Sequence, residues 1–79
     1  MLKTELINRL NELYIRPTAY SLEGDLLWDR IIMFNSYNDW HVFYLDERGN
    51  RNEEKIFHSE SEACDYIFDF FKKKKDYLL

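Results

Sequence analysis

The hydrophobic pattern of this chain changes period twice, and that change limits the folds open to it. From Leu2 to Ile15, the residues Leu6, Ile7, Leu10, Leu13 and Tyr14 recur at helical spacing, with Lys3, Glu5, Asn8, Arg9 and Glu12 on the other side. Arg16-Pro17 ends that helix, because the residue before a proline is pushed out of helical geometry. Thr18 to Leu22 then reads as a short extended piece, and Glu23-Gly24-Asp25 as a turn. Trp28 to Phe34 and Trp40 to Leu45 are rich in aromatic and β-branched residues and read as strands, separated by the turn formers Asn35-Ser36-Tyr37-Asn38-Asp39. Arg48-Gly49-Asn50-Arg51 makes a second turn, ahead of a strand from about Glu53 to His58.

The period returns to helical after Ser59. Ser59 and Glu62 form a capping box, in which hydroxyl and carboxylate satisfy orphaned backbone N–H groups. Ala63, Cys64, Ile67, Phe70 and Phe71 make one apolar face. Glu60, Glu62 and Asp65 come first and Lys72 to Lys75 last, the order the helix dipole favours. The expected fold class is α+β: a helix, an antiparallel three- to four-stranded meander and a second helix (α-β-β-β-α), with both helices on one face of the sheet. Residues 1–79 form a single domain, since 79 residues allow no more.

Composition removes several classes. A 46% hydrophobic share is too high for disorder. The longest apolar run, Ile31-Ile32-Met33-Phe34, is far short of a membrane span or a signal-peptide core. The lone Cys64 excludes an intramolecular disulfide and a cysteine zinc site, and favours a reducing, cytoplasmic setting. Two glycines and one proline leave no glycine-rich phosphate loop.

The aromatic load is the unusual quantity: 18% of the chain, as six Tyr, six Phe and two Trp, more ring than so small a core is expected to hide. Two helices cover one face of a sheet, so the other meets water or a partner. Centring the second hairpin on Gly49-Asn50 pairs His41 with His58, Val42 with Phe57, Phe43 with Ile56 and Tyr44 with Lys55. Ile31, Met33, Phe43, Leu45 and Ile56 then share one face; Trp28, Arg30, Ile32, Phe34, Trp40, Val42, Tyr44, Lys55 and Phe57 share the other. Only the second mixes Trp and Tyr with Arg and Lys, the mixture of a binding surface. It is expected to face away from the helices. The candidate partner-binding residues are Trp28, Arg30, Phe34, Trp40, Tyr44 and Lys55, with Glu60 and Glu62 as an acidic flank; Tyr14, Phe43, Phe70 and Phe71 are assigned to the core.

No catalytic residue, metal site or cofactor is assigned, and the chain does not read as an enzyme. Cys64 lies on the inward face of its helix and reads as a small packed hydrophobe. His41 and His58 read as strand-end residues, because structural zinc needs four ligands. The acidic tip from Asp46 to Glu54 fails as a calcium loop, since the position that requires glycine falls on Arg51. Helix, three strands, helix is also the layout of double-stranded-RNA-binding domains, which place lysines at the start of the last helix. Here that start is Ser59-Glu60-Ser61-Glu62, and 11 Lys+Arg against 15 Asp+Glu give a net charge of −4; both repel phosphate. Neither nucleic acid nor membrane is expected as a partner.

Tyr20-Ser21-Leu22-Glu23-Gly24, Trp40-x-Val42-x-Tyr44, Glu47-Arg48-Gly49, Phe57-x-Ser59-Glu60 and Ala63-Cys64-x-Tyr66 together resemble a family of small bacterial immunity proteins of polymorphic toxin systems. The resemblance spans about Leu2 to Phe71. The chain departs from the pattern by an extra residue near Leu45-Asp46 and by a single glycine, Gly24, where a pair is usual. The resemblance implies a cytoplasmic protein that binds and neutralises a toxin domain. An acidic inhibitor suits a basic toxin, a nuclease among the candidates. Two alternatives stand beside it: a homodimeric structural module whose aromatic face is its own interface, and an acidic mobile-element protein that mimics nucleic acid.

Overall fold

A computed structural model describes residues 1–78. Helix α1 (Lys3–Glu12) is followed by a 3-10 turn at Pro17–Ala19 and by strands β1 (Tyr20–Ser21), β2 (Arg30–Ser36), β3 (Asp39–Leu45) and β4 (Arg51–Phe57); helix α2 (Glu60–Leu78) closes the chain. The sheet order is β1-β2-β3-β4. β2, β3 and β4 form the expected antiparallel meander, while β1 joins the edge of β2 in parallel, so the sheet is mixed. Leu6 and Leu10 of α1, and Ala63, Cys64, Ile67 and Phe71 of α2, pack with Ile31, Met33 and Val42 in one core. Both helices therefore lie on one face of the sheet.

The helices run in the same direction. Lys3 Nζ stands 3.9 Å from Glu60 Oε1 at one end, and at the other Lys75 Nζ donates to the Leu13 carbonyl. Parallel neighbours bring two negative helix termini together, and a cation there is favourable. Other members of the lysine run are engaged within the chain too. Lys73 pairs with Asp69 at 3.7 Å, and Lys72 and Lys74 lie over the rings of Phe68 and Phe70 at 6.0 and 5.8 Å. At the start of α2, the Glu62 N–H donates to Ser59 Oγ at 3.2 Å, which is the serine half of the expected capping box.

Helix α1 ends earlier than its hydrophobic pattern. The Ile15 N–H donates to the Leu10 carbonyl and the Tyr14 N–H to the Asn11 carbonyl, both at 2.9 Å, which is the Schellman closure. That closure puts Tyr14 at φ 59° and turns it outward, 85% exposed, so Tyr14 is not a core residue.

The first hairpin corrects the assignment of faces. Instead of a five-residue turn over Asn35–Asp39, pairing continues to Ser36–Asp39 and the loop is Tyr37-Asn38 alone. A five-residue turn would set Phe34 opposite Trp40; the shorter loop sets Phe34 opposite His41 and Asn35 opposite Trp40. One step of register moves every side chain of a strand to the other face. Trp40, Val42 and Tyr44 therefore share the helix side with Ile31 and Met33, and Phe43 and Leu45 lie on the helix-free side with Ile32 and Phe34. β4 follows β3: Phe57 and Lys55, opposite Trp40 and Val42, are on the helix side, and Ile56, opposite His41, is on the other. His41 and His58 are not cross-strand partners.

Between Val42 and Tyr44 the β3–β4 ladder shifts register. Glu53 and Glu54 together face Phe43, a bulge on β4, and Glu53 adopts φ 54°. Beyond it Asn52 opposes Tyr44 and Arg51 opposes Leu45. The extra residue thus turns Arg51 to the helix-free face, where Glu54 already lies.

Candidate protein-binding surface

The helix-free face is not bare. Ile32, Phe43 and Leu45 form a second small core with Phe34 against it. The Arg51 guanidinium carbon lies 4.5 Å from the Phe43 ring centroid and 5.5 Å from that of Phe34. His41 stacks on Phe34 with centroids 4.7 Å apart and planes 13° from parallel. Glu54 accepts from or pairs with both: its Oε2 is 2.9 Å from His41 Nδ1 and 3.7 Å from Arg51. An arginine held over an aromatic face buries its apolar stem and keeps its charge in water. The roof of Arg51, Glu54 and His41 leaves Phe43 only 1% exposed. This face works as a thin second core under polar cover.

Ile56 stands singly exposed on this face, and a contiguous exposed apolar run lies in the loop from Leu22 to Asp29. Leu26, Leu27 and Trp28 stand in succession at 56%, 41% and 66% exposure. β2 begins at Arg30, so Trp28 belongs to this loop and not to a strand. The loop is pinned at both ends. Ser21 Oγ donates to the Asp25 carbonyl at 2.8 Å, and the Leu27 N–H donates to the same oxygen at 3.0 Å. At the far end, the Asp29 N–H donates to the Leu45 carbonyl at 2.7 Å, and Tyr44 OH donates to Asp29 Oδ1 at 2.9 Å. Asp29 sits at φ 59°, in the left-handed region that aspartate tolerates better than most L residues. That hydrogen bond is the chief cause of a Tyr44 phenol raised above its ordinary value. Gly24 sits at φ 85°, a backbone conformation that favours glycine, and a Cβ there would meet Phe34 Cβ at 3.4 Å. Apolar side chains on a fixed loop lose little freedom on binding.

The residues singled out from sequence do not form one surface. Trp28 is exposed on the loop; Arg30 and Phe34 are half-buried on the helix-free face. Trp40 is half-buried against the main core, with Lys3 Nζ 5.8 Å above its ring. Tyr44 and Lys55 are on the helix side, exposed, where the helices leave the sheet uncovered. Glu60 faces Lys3 and Glu62 is exposed in the first turn of α2. Leu26 and Leu27 were not among the candidates. Their signal was present in the sequence: two leucines beside a tryptophan, fitting neither helical nor alternating period.

The groups most capable of chemistry are engaged otherwise. Cys64 is buried, and desolvation pushes its thiol up to about 11, so it is protonated at neutral pH. His58 Nδ1 lies 3.2 Å from Asp39 Oδ1. Asp46 organises the hairpin tip: its Oδ1 accepts the N–H groups of Asn50 at 2.8 Å and Arg48 at 3.0 Å, which holds its carboxyl below the ordinary aspartate value. Among the described residues, no three of the His, Cys, Asp and Glu side chains gather as a metal ion requires, and no helix is long and apolar enough to cross a membrane. Comparison with protein-family models, curated proteins and solved structures finds no match to this chain.

Proposed function

We propose that this chain is a small cytoplasmic protein-binding module of the immunity type, which neutralises a toxin domain by occupying or distorting it rather than by catalysis. The observation that supports this reading is the run Leu26-Leu27-Trp28, exposed on a loop whose two ends are hydrogen-bonded to β1 and β3. Large apolar side chains held in place in water are what a desolvated interface uses as anchors. The net charge of −4 favours a basic partner, such as a nuclease domain, through faster encounter and rejection of acidic competitors.

The test is growth. The C-terminal domain of a large secreted protein encoded directly upstream should arrest cells when expressed alone, and co-expression of this chain should restore growth. A Leu27→Ser, Trp28→Ser variant with an unchanged thermal melt should fail to restore it. Absence of rescue by the wild-type chain overturns the reading. So does a stable dimer at micromolar concentration, in sedimentation, that withdraws Trp28 from water.

A further inference from the structure

Beside the pinned loop lies a cleft between the β3–β4 hairpin and α2. It is shallow and open to solvent, holds about 390 Å³ and is lined by Tyr44, Asn52, Glu53, Phe70 and Lys74. Beneath it a space of about 20 Å³ reaches Ile31, Val42 and Tyr66, so the floor is apolar and has room for little more than a water molecule. Two aromatic side chains, an amide and a carboxylate thus border a space wider than one long side chain, with room for its flanking backbone as well.

We infer that this cleft is the socket for an arginine side chain of the protein partner. A planar guanidinium stacks on aromatic faces and donates to carboxylate and amide oxygens at its edge, a combination that Tyr44, Phe70, Glu53 and Asn52 supply together. One wall and the backbone of another lining residue are held before binding. Tyr44 OH is held by Asp29, and Glu53 stands on the bulge with φ 54°. The carboxylates of Asp29, Asp46 and Glu47 act on the Tyr44 phenol. Lys74 Nζ lies 5.8 Å over the Phe70 ring, so one wall already carries a cation belonging to the chain itself. Lys74 is a placeholder that an incoming guanidinium must displace. Asp29, which follows Trp28 in the chain, accepts from the Tyr44 OH and so ties the loop to one wall of the cleft.

This inference rests on the binding reading above, but its test needs no toxin. Amide spectra of the whole chain are recorded against acetyl-Gly-Arg-Gly-amide and the same peptide with lysine or citrulline in place of arginine. Arginine should shift Tyr44, Asn52, Glu53 and Phe70 saturably in the millimolar range. Glu53→Gln should weaken that binding by about threefold and Lys74→Met should tighten it by a similar factor. The citrulline peptide, isosteric and neutral, should leave these residues unmoved. Equal response to citrulline, tighter binding of lysine, or unsaturated shifts spread over all the acidic residues overturns the socket. Growth protection that survives such a result would leave the binding function standing without it.

Discussion

Phe43→Ala tests whether the helix-free face is a core in its own right. Phe43 is 1% exposed and packs in the thin layer of Ile32, Leu45 and Phe34 under Arg51. Truncating a buried phenylalanine costs about 3–5 kcal/mol, and the lower end applies here because Arg51 and Phe34 can sink into the space. A domain of this length holds roughly 4–12 kcal/mol in all, so the loss is a large share of it. Expressed as melting temperature it is a fall of about 12–24 °C. Urea unfolding followed by far-ultraviolet circular dichroism should show the midpoint falling with the slope unchanged. Arg51→Ala alone should cost about 1 kcal/mol, and the double variant should fall short of the sum by roughly 0.5–1 kcal/mol, the worth of the guanidinium–ring contact. A loss below about 1 kcal/mol for Phe43→Ala, or strict additivity with Arg51→Ala, would refute the roofed second core.

Other expectations follow from single contacts. The Asp46 carboxyl is held below its ordinary value by N–H donors at the hairpin tip, so its contribution is present above the unfolded pKa. It is lost as pH falls from about 4 through the folded value, and Asp46→Asn should flatten that acid limb of the stability profile. Ser59→Ala should cost about 1 kcal/mol by leaving the Glu62 N–H without its cap, measured by thermal melting. Cys64, with its thiol pushed up to about 11, should react with a thiol reagent at neutral pH only as fast as the chain opens, so labelling rises in step with urea unfolding.

Much of this architecture can be read from the residues, and the failures share one cause. Leu6 and Leu10, Ser59 with Glu62, and Ala63, Cys64, Ile67 and Phe71 announce both helices and their buried sides, because helical period and capping chemistry are local. The joints are different. Tyr14, Asp29, Tyr37 and Glu53 all take left-handed backbone at positive φ, the helix end, the loop end, the hairpin and the bulge, in a chain with only two glycines. Each costs an L residue about 1–2 kcal/mol, less for Asp29, and none is announced by a glycine in the sequence. Nothing in the spelling Asn35-Ser36-Tyr37-Asn38-Asp39 tells that only the Tyr37-Asn38 pair turns, and that ambiguity carried Trp40, Tyr44 and Lys55 to the wrong face. The same difficulty hid the bulge that brings Arg51 over Phe43. Trp28 was legible as an exposed ring, but its loop partners Leu26 and Leu27 were masked by the expectation of a strand starting at Trp28.

The loop from Leu22 to Asp29 is the part of the molecule on which the proposed function depends, and Trp28→Ala measures it directly. With the upstream-encoded toxin domain as ligand, isothermal titration should show affinity falling by about 30-fold or more, equivalent to roughly 2 kcal/mol. The same loss should leave the melting temperature of the free chain unchanged, since Trp28 is 66% exposed. Affinity within about twofold of wild type would contradict the assignment of this loop as the anchor.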